Sequence, residues 1–411
     1  MRIAIQTLGT RGDVQPYVAL GLGLRRAGHD VVLATAAQFG DFVTGHGLPF
    51  APLPNDLLDL MDTPDGRAAM ASRGSPLAMM RLVRRIKPLV RGLFEAQWLA
   101  AEGVEAILYH PKAVASPAIA ERLRIPAFLG FPLPGLTPTR AFPSPMLPFA
   151  NLGPLNALSH HLFIRYGDRL FREPLARFRD EVLGLSGPAS RHAAPVAKLY
   201  GVSPAVVPRP DDWDADSHLT GYWFLDEAPG WRPDPGLSAF LNAGAPPVYV
   251  GFGSIPSLDP AATTALVVEA LARAGLRGVL ATGWGGLAPA DADHIHMLDA
   301  APHAGLFPFM AAVVHHGGAG TTAAALRAGR PSLILPFFGD QPFWGRQVAR
   351  LGAGPAPIPQ RRLGVEGLAR AMGQAARDEG MARRAREIGA RIRSEDGVGG
   401  AVALIEGYTA H

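Results

Sequence analysis

Cysteine is absent from this sequence of 411 residues, and lysine occurs at only three positions, Lys87, Lys112 and Lys198. Without cysteine the chain has no disulfide bond, no zinc–thiolate site and no cysteine nucleophile, and it is compatible with a reducing compartment. The net charge of +4 is small for this length. No basic run with interleaved aromatic residues is present, so we expect no nucleic-acid partner.

Long uninterrupted apolar runs are also missing. Residues 141–164 carry no charge and are long enough to cross a bilayer, but Pro143, Pro145, Pro148 and Pro154 interrupt them. Because proline breaks helices, we expect an irregular apolar loop here and not a transmembrane helix. The first residues have the pattern of a strand and not of a signal peptide. These features predict a cytoplasmic protein without a transmembrane segment.

The composition is that of a globular protein, with 48% hydrophobic and 18% charged residues. The length exceeds the size at which one hydrophobic core keeps growing, so two domains are expected. Residues 225–234 mix acidic residues with glycine and prolines and are the best candidate for a linker. We therefore predict domains at 1–224 and 235–395, followed by a C-terminal helix at 396–411.

The start of the chain has the pattern of a Rossmann-type β-α-β unit, with a strand at 2–7, a helix at 17–27 and a strand at 30–35. The first loop contains Gly9 and Gly12 but lacks the third glycine of a dinucleotide fingerprint. The loop therefore argues against an NAD-dependent enzyme.

Asp13 lies in this loop, beyond the carboxyl end of the first strand, and has two interpretations. An aspartate near a helix N-terminus is favoured by capping and by the helix dipole. A carboxylate at a strand end can also face a cleft and act on a ligand. His110 follows a predicted strand at 104–109, and a histidine there is more often a satisfied polar residue than a catalytic one.

Residues 312–341 contain the most informative motif: a strand, a glycine-rich turn, a helix, a second strand and a polar tip. Backbone N–H groups of the turn and the positive end of the helix can surround a phosphate. A tight β-α turn that needs glycine only for its dihedral angles is the alternative. The candidate ligand contacts in this stretch are His315, Gly317, Gly318, Gly320, Thr321, Thr322, Asp340 and Gln341.

Two further loops contribute candidates. Ser254 follows a predicted strand and can donate a hydrogen bond to a diphosphate, and Trp284 fits either a nucleotide contact or core packing. Two Asp-Ala-Asp sequences, at 214–216 and 291–293, have the spacing of metal-binding pairs. Both lie in polar loops without a third ligand nearby, so we predict no metal site.

These motifs occur together in one known family. The stretches HHGGAGTT…LRAGRP…PFFGDQPFWGRQV and TLGTRGDVQPYVALGLGLRRAGHDVVLAT, with the weaker matches PTRAFP, TGYWF, YVGFGSIP and GWGGL, follow in family order. The sequence resembles the inverting UDP-glycosyltransferase superfamily, in particular its sterol 3β-glucosyltransferase branch, with glycopeptide-antibiotic glycosyltransferases as cousins. The resemblance implies an α/β protein of the GT-B fold, in which two Rossmann-like domains with parallel sheets face each other across a cleft.

The resemblance also implies roles for the candidates. Asp13, the aspartate of GTRGD, is the proposed general base, and His110 is its neighbour. Donor-binding roles fall on Ser254, Trp284, His315, Gly317, Gly318, Gly320, Thr321, Thr322, Asp340 and Gln341. No cofactor is implied, because the co-substrate is UDP-glucose or another NDP-sugar. The last helix is expected to pack back on the first domain.

The proline-rich segment 131–164 corresponds to the part that walls the acceptor pocket in this family. A surface loop is the alternative, although so many apolar side chains would form an aggregation-prone patch unless they were buried. The acceptor is then a hydrophobic alcohol such as a sterol, a lipid or a natural-product aglycone. We predict acceptor contacts from Phe131, Phe142, Met146 and Phe149.

Residues 75–100 have helical periodicity, with apolar residues among arginines, and Pro88 predicts two helices or a kink. A basic amphipathic helix at 78–94 fits peripheral contact with an anionic membrane. A surface helix with a solvated charged face is the commoner outcome of such a pattern.

Together these inferences predict a metal-independent, inverting hexosyltransferase that moves glucose from UDP-glucose, or another sugar from its NDP-sugar, to a hydrophobic acceptor. A non-catalytic homologue that binds a ligand or a partner enzyme is one alternative. The joint retention of Asp13, His315 and Asp340-Gln341 argues against it. An NDP-sugar epimerase is another alternative, in which the apolar segment 131–164 has no obvious use.

Overall fold

The computed structural model describes residues 1–63, 76–190, 193–225, 230–253, 259–283 and 286–409. The first half of the chain forms a sheet from β1 Arg2–Gln6, β2 Asp30–Ala36, β3 Phe50–Leu53, β4 Ala106–Tyr109, β5 Ala127–Phe131, β6 Ala197–Tyr200 and β7 Ser217–Leu219. All neighbours are parallel, and the strand order is β3-β2-β1-β4-β5-β6-β7. Its helices are α1 Arg11–Arg26, α2 Gly40–Gly45, α3 Asp56–Asp62, α4 Pro76–Leu99, α5 Ser116–Leu123 and α6 Asn156–Glu181.

The second half forms a parallel sheet of β8 Val248–Gly251, β9 Gly278–Ala281, β10 Ile295–Leu298, β11 Ala312–His315 and β12 Ser332–Ile334. The order is β10-β9-β8-β11-β12. Its helices are α7 Pro235–Asn242, α8 Pro260–Arg273, α9 His303–Leu306, α10 Ala319–Arg327, α11 Gln341–Arg350, α12 Val365–Arg377, α13 Glu379–Arg393 and α14 Gly397–Thr409. The prediction of an α/β protein with two parallel sheets is confirmed.

Both sheets are covered on two faces, which explains why their strands are apolar without alternation. In β1 the side chains of Ile3 and Ile5 enter one apolar cluster and Ala4 enters another. In β8 Val250 and Tyr249 divide in the same way. Each sheet is thus the middle layer of its own core.

A further apolar cluster joins the two halves. It contains Leu133 and Val206 from the first half together with Phe343, Trp344 and Ile388 from the second, all of them buried. This shared core fixes the two sheets relative to each other, so residues that follow strands of both sheets can meet between them.

The last helix, α14, returns to the first half of the chain and packs against α1. Ala401 and Ile405 are buried in the same cluster as Leu20. The approach is so close that a Cβ atom on Gly23 would lie 2.2 Å from Cγ1 of Val398. Glycine at position 23 is therefore required by the contact between the two helices.

Three helices can be compared with the prediction. The helix α1 begins at Arg11, before the predicted start at 17. Of the two outcomes predicted at Pro88, a break into two helices is wrong, because α4 is continuous; Pro88 is exposed, so that water can satisfy the carbonyl group that loses its donor. The helix α6 begins at Asn156, so the second part of the segment 141–164 is helical and not the irregular loop that was expected. Pro154 lies in the short 3₁₀ turn Gly153–Leu155 that leads into this helix, and proline is tolerated in a first turn.

The helices in the described part of the chain are all too short or too polar to cross a bilayer. The apolar face of the described portion of α4 is also committed to the core, because Val90, Leu93 and Phe94 are buried and Phe94 packs on Phe178. This arrangement corresponds to the surface-helix interpretation of 78–94. The side chains of residues 76–84 and 87 lie outside the description.

Candidate active site

Both sheets place candidate residues at a topological switch point. The strand order reverses between β1 and β4 in the first sheet and between β8 and β11 in the second. Crevices at the carboxyl ends of such strand pairs are where open α/β sheets bind ligands. Asp13 and His110 follow β1 and β4, and the glycine turns at 251–253 and 317–320 follow β8 and β11.

Asp13 occupies the third position of α1 and caps the helix through one carboxylate oxygen. The backbone N–H of Thr10 donates to Oδ2 at 2.8 Å, and the Thr10 hydroxyl donates to the same oxygen at 3.3 Å. The close approach requires Gly9, where φ is +134° and a Cβ atom would lie 2.1 Å from Oδ2. The capping interpretation is therefore correct for Oδ2, and Oδ1 is left for another function.

His110 lies against the other carboxylate oxygen. Its Nε2 is 3.4 Å from Oδ1 of Asp13, and its Nδ1 accepts the backbone N–H of Lys112 at 3.0 Å. Because an amide only donates, Nδ1 carries the lone pair and the proton of the neutral ring is on Nε2. Burial lowers the pKa of His110, which keeps the ring neutral. The structure thus brings the two predicted residues together, with the N–H of His110 facing the carboxylate.

Lys112 completes this group and was not predicted from the sequence. Its ammonium donates to Oδ2 of Asp13 at 2.8 Å, while half of its side chain is exposed. Burial alone would raise the pKa of Asp13, but the charge of Lys112 and the hydrogen bond from His110 lower it well below its ordinary value. Asp13 is therefore an ionised carboxylate throughout the neutral range.

The glycine turn after β11 has the conformation that its sequence requires. Gly317 has a φ of +94°, and a Cβ atom there would lie 2.6 Å from Cγ2 of Ile334. Gly318 precedes α10 as its N-cap, and Gly320 is exposed with open space around it. The first N–H groups of α10 are thus directed to the crevice between the sheets.

The two threonines of this turn differ. Thr322 is buried, and its hydroxyl donates to the carbonyl of Gly318 at 2.9 Å, so it supports the turn from inside. Thr321 is partly exposed at the start of the helix. Of the two predicted hydroxyl contacts, Thr321 is the one at the surface of the turn.

The histidine pair after β11 is also divided between core and crevice. His315 is fully buried, and its Nδ1 accepts the N–H of Gly317 at 3.1 Å. His316 is partly exposed, and its ring lies between Gly253 and Gly318, where Cβ atoms would be 3.1 and 2.5 Å from it. Burial lowers the pKa of His316 to about 4, so its ring is neutral. His316 therefore joins the two glycine turns.

Asp340 and Gln341 follow β12 at the start of α11. The indole N–H of Trp344 donates to Oδ2 of Asp340 at 2.7 Å. The pKa of Asp340 is raised to about 6, because burial and, to a smaller extent, the negative charge of Asp13 outweigh the lowering effects of the Trp344 hydrogen bond and the positive charge of Lys112. Carboxylates from the two halves of the chain are thus close enough to influence each other's ionisation.

Gln341, the other predicted sugar contact, uses its side-chain oxygen within the protein. It is buried, and its side-chain oxygen accepts the N–H groups of Phe337 and Phe338 at 2.7 and 3.1 Å. The carbonyl end of Gln341 therefore holds the loop that presents Asp340. Ser254 and Trp284, the two remaining donor-site candidates, lie outside the described residues.

Three of the four predicted acceptor residues, Phe131, Phe142 and Met146, pack against one apolar cluster of the described residues. Phe131 contacts His110, with ring centroids 5.3 Å apart. Phe142 packs on Phe343 at 5.6 Å, and Cε of Met146 lies 3.9 Å from the position of a Cβ atom on Gly339. Phe149 is 49% exposed and belongs to none of the apolar clusters of the described residues.

The two Asp-Ala-Asp sequences are not brought together with other metal ligands. Within the described ranges, no three His, Asp or Glu side chains are arranged to hold a metal ion. Asp214 pairs with Lys198 at 2.9 Å, and Asp216 accepts the hydroxyl of Tyr408 at 2.8 Å. Both carboxylates of the first sequence therefore have structural partners.

Two family models match separate parts of the chain. Residues 3–143 match the glycosyltransferase family 28 N-terminal domain, and residues 288–397 match the C-terminal domain of erythromycin biosynthesis protein CIII-like proteins. Asp13 and His110 lie in the first match, and the glycine turn with Asp340 lies in the second.

Curated relatives match nearly the whole chain. A sterol 3-beta-glucosyltransferase of Aspergillus fumigatus is 39% identical over 426 residues, which cover 98% of this chain and 30% of that protein. The enzyme of the same name from Cryptococcus neoformans is 36% identical over 438 residues, covering 98% of this chain and 27% of its own length. The chain thus spans less than a third of the length of these relatives.

Solved structures share the fold over the full length. The glycosyltransferase of kitacinnamycin has a TM-score of 0.70 at 20% identity and covers 98% of both chains. Streptomyces sp. SF2575 glycosyltransferase SsfS6, complexed with thymidine diphosphate, has a TM-score of 0.64 at 21% identity and covers 99% of both chains. The solved structures show that this chain has the GT-B fold, and the domain models and the curated relatives show that it is similar to glycosyltransferases.

Proposed function

We propose that this protein transfers a hexose, with inversion, from an NDP-sugar to a hydroxyl group of a hydrophobic acceptor, with UDP-glucose as the donor. The observation that carries the proposal is the pairing of the Asp13 carboxylate of one sheet with the glycine turn and Asp340 of the other. The relatives named sterol 3-beta-glucosyltransferase support the choice of glucose and of a sterol-like acceptor. On this proposal residues 1–224 bind the acceptor and residues 235–395 bind the donor.

Asp13 is the general base of the proposed reaction. Thr10 and Lys112 occupy Oδ2, so Oδ1 is the oxygen that accepts the proton of the acceptor hydroxyl. As that proton moves to Asp13, the acceptor oxygen forms a bond with the anomeric carbon and the bond to the diphosphate breaks. A single displacement of this kind inverts the configuration and needs no second carboxylate as nucleophile.

His110 and Lys112 prepare Asp13 for this role. The N–H of His110 faces Oδ1 and orients it, whereas the ammonium of Lys112 keeps the carboxylate ionised. Lys112 also lowers the basicity of Asp13. Because its side chain is half exposed, it can move away from Oδ2 when an acceptor enters, and the basicity of Asp13 then rises.

The leaving diphosphate is received by the second half of the chain. The N–H groups of Gly318 and Gly320 and the positive end of α10 are directed to the crevice. The hydroxyl of Thr321 and the neutral ring of His316 lie at the same turn and can donate to phosphate oxygens. The structure of SsfS6 with thymidine diphosphate shows that a protein of this fold binds a nucleoside diphosphate.

Asp340 is proposed to hold the sugar. Trp344 fixes Oδ2 by a hydrogen bond, which leaves Oδ1 to accept bonds from sugar hydroxyls. Since the charge of Asp13 affects the pKa of Asp340, a sugar held by Asp340 lies near the proposed base. Such positioning of two reactants is a large part of the catalytic effect of enzymes.

The acceptor pocket is assigned to the apolar surface around His110. Phe131 contacts His110, the neighbour of the proposed base, Phe142 packs on Phe343 of α11, and Met146 lies near Gly339, which precedes Asp340. A pocket with apolar walls around one hydrogen-bond acceptor suits a molecule that is apolar except for its reactive hydroxyl group.

A donor-by-acceptor matrix read by mass spectrometry tests the proposal. UDP-glucose, UDP-galactose and dTDP-glucose are each paired with sterols and polyketide aglycones, and product mass and anomeric configuration are recorded. We expect a β-glucoside of a sterol-like alcohol from UDP-glucose. A retained configuration, or epimerisation of the donor's sugar in the absence of any acceptor, would overturn the inverting transfer.

A further inference from the structure

An apolar ridge stands on the surface of the first half of the chain. Eight large apolar side chains are exposed among the described residues, and five of them lie between positions 149 and 166. The ridge consists of Phe149 (49% exposed), Leu155 (56%), Leu158 (48%), Leu162 (59%) and Tyr166 (51%). The last four are spaced by three, four and four residues, so they line one face of α6 and the turn before it.

In the first turns of α6, polar side chains face the protein interior and apolar side chains face solvent. The inward-facing side chains are polar, since Asn156, Ser159 and His160 are buried. Asn156 donates to the carbonyl of Arg140, and the hydroxyl of Ser159 accepts the N–H of Ser144. These bonds connect α6 to residues 140–144 of the proposed acceptor segment. The leucines of the outer face contribute nothing to this packing, so the fold does not explain them.

Basic side chains flank the apolar ridge. Arg165, Arg169 and Arg172 are exposed on α6, and Asp168 is the one acidic residue between positions 149 and 172. Tyr166, at the end of the ridge, has an apolar ring and a polar tip. An apolar helix face that ends in tyrosine and arginines is the composition of helices that lie in the interface of an anionic bilayer.

We propose that the apolar ridge docks this protein on the surface of a membrane that contains anionic lipids. Its side chains project from a helix and do not line a groove, so they can enter a deformable bilayer without a shaped partner. The arginines then lie at the level of the headgroups. Docking places the acceptor segment, which α6 holds by polar bonds, next to the lipid phase. The inference concerns where the protein works and does not depend on the proposed reaction.

The test is co-sedimentation of the full chain with vesicles. Vesicles of phosphatidylcholine mixed with phosphatidylglycerol are compared with vesicles of phosphatidylcholine alone, without any substrate. We expect binding to the anionic vesicles, and a reduction of about tenfold or more in the double variant Leu158→Asp, Leu162→Asp. The matched control is Leu99→Asp, because Leu99 is 63% exposed at the end of α4 and lies outside the ridge.

Three results would overturn the proposal: no sedimentation of the original protein with anionic vesicles, equal loss in the Leu99 control, and unchanged binding in the double variant. Light scattering measures the oligomeric state and decides whether a second copy of the chain covers the ridge instead of a membrane. A dimer that the double variant converts to a monomer would also overturn the proposal. The double variant should keep the circular dichroism spectrum and the melting temperature of the original protein, which separates a docking defect from misfolding. Because vesicle binding is measured without substrate, failure of the proposed reaction does not change its outcome.

Discussion

The ammonium of Lys112 lies 2.8 Å from Oδ2 of Asp13, on the side of the carboxylate opposite to His110. The carboxylate is thus held between a cation and an imidazole N–H, and both favour its ionised form. One consequence is that an aspartate at the third position of a helix, which could have been a cap and nothing more, keeps one oxygen free for chemistry.

Replacing Asp13 with asparagine tests the proposed base directly. The amide preserves the shape of the side chain but cannot accept the proton of the acceptor. General acid–base catalysis contributes about 10²–10⁴-fold, so kcat should fall by a factor in this range. Binding of UDP-glucose, measured by calorimetry, should change little. A loss of kcat below about tenfold would remove Asp13 from the role of base.

Replacing Lys112 with methionine should change the pH profile of kcat measured at saturating donor. Without the ammonium, one of the two groups that lower the pKa of Asp13 is lost while burial still raises it, so the pKa rises from its lowered value and kcat should decline at a higher pH than in the original protein. In the original protein Asp13 stays ionised there and the profile should be flat. Lys112→Arg keeps the charge and is the matched control. Identical profiles for all three proteins would mean that Lys112 is only a surface contact.

The strand ends were the part of the site that the sequence could predict. Asp13, His110 and the glycine turn follow apolar strands, and parallel strands end at one edge of a sheet, so their side chains had to gather there. The capping interpretation of Asp13 is confirmed for one oxygen, and the other oxygen faces His110, which is compatible with the catalytic role that remains a proposal.

Contacts between the two halves of the chain could not be predicted from local sequence patterns. The packing of Phe142 on Phe343 depends on the relative placement of the two sheets, which no local pattern encodes. The side-chain oxygen of Gln341 turns inward because it accepts the N–H groups of Phe337 and Phe338 in its own loop. Lys112 reaches Asp13 because the loop after β4 passes over the start of α1, and an exposed lysine gives no signal of such a contact.

Asp340 should make donor binding depend on pH. Its pKa is raised to about 6, so it is ionised and accepts sugar hydroxyls above that pH, and it loses this capacity as the pH falls below it. The dissociation constant of UDP-glucose should therefore rise as the pH decreases through about 6. UDP is not a suitable control ligand, because its terminal phosphate itself titrates at about pH 6. The control is Asp340→Asn with UDP-glucose, whose diphosphate has no such proton. The dissociation constant of this variant should not change through about pH 6, and a persistent change would assign the titration to another group.

Gly320 offers a test that separates a phosphate cradle from a turn that needs glycine only for its geometry. Nothing lies within 4 Å of a Cβ atom at Gly320, so Gly320→Ala should leave the melting temperature unchanged or raise stability by up to about 1 kcal/mol, as alanine favours a helix. If a diphosphate sits on the turn, the added methyl group obstructs it. We then expect UDP affinity to fall by about tenfold, equivalent to about 1.4 kcal/mol.

Gly317→Ala is the contrasting variant, because the φ of +94° and the contact with Ile334 should lower the melting temperature as well. A Gly320→Ala protein that is stable and binds UDP normally would favour the simple turn and remove the cradle from the proposed site.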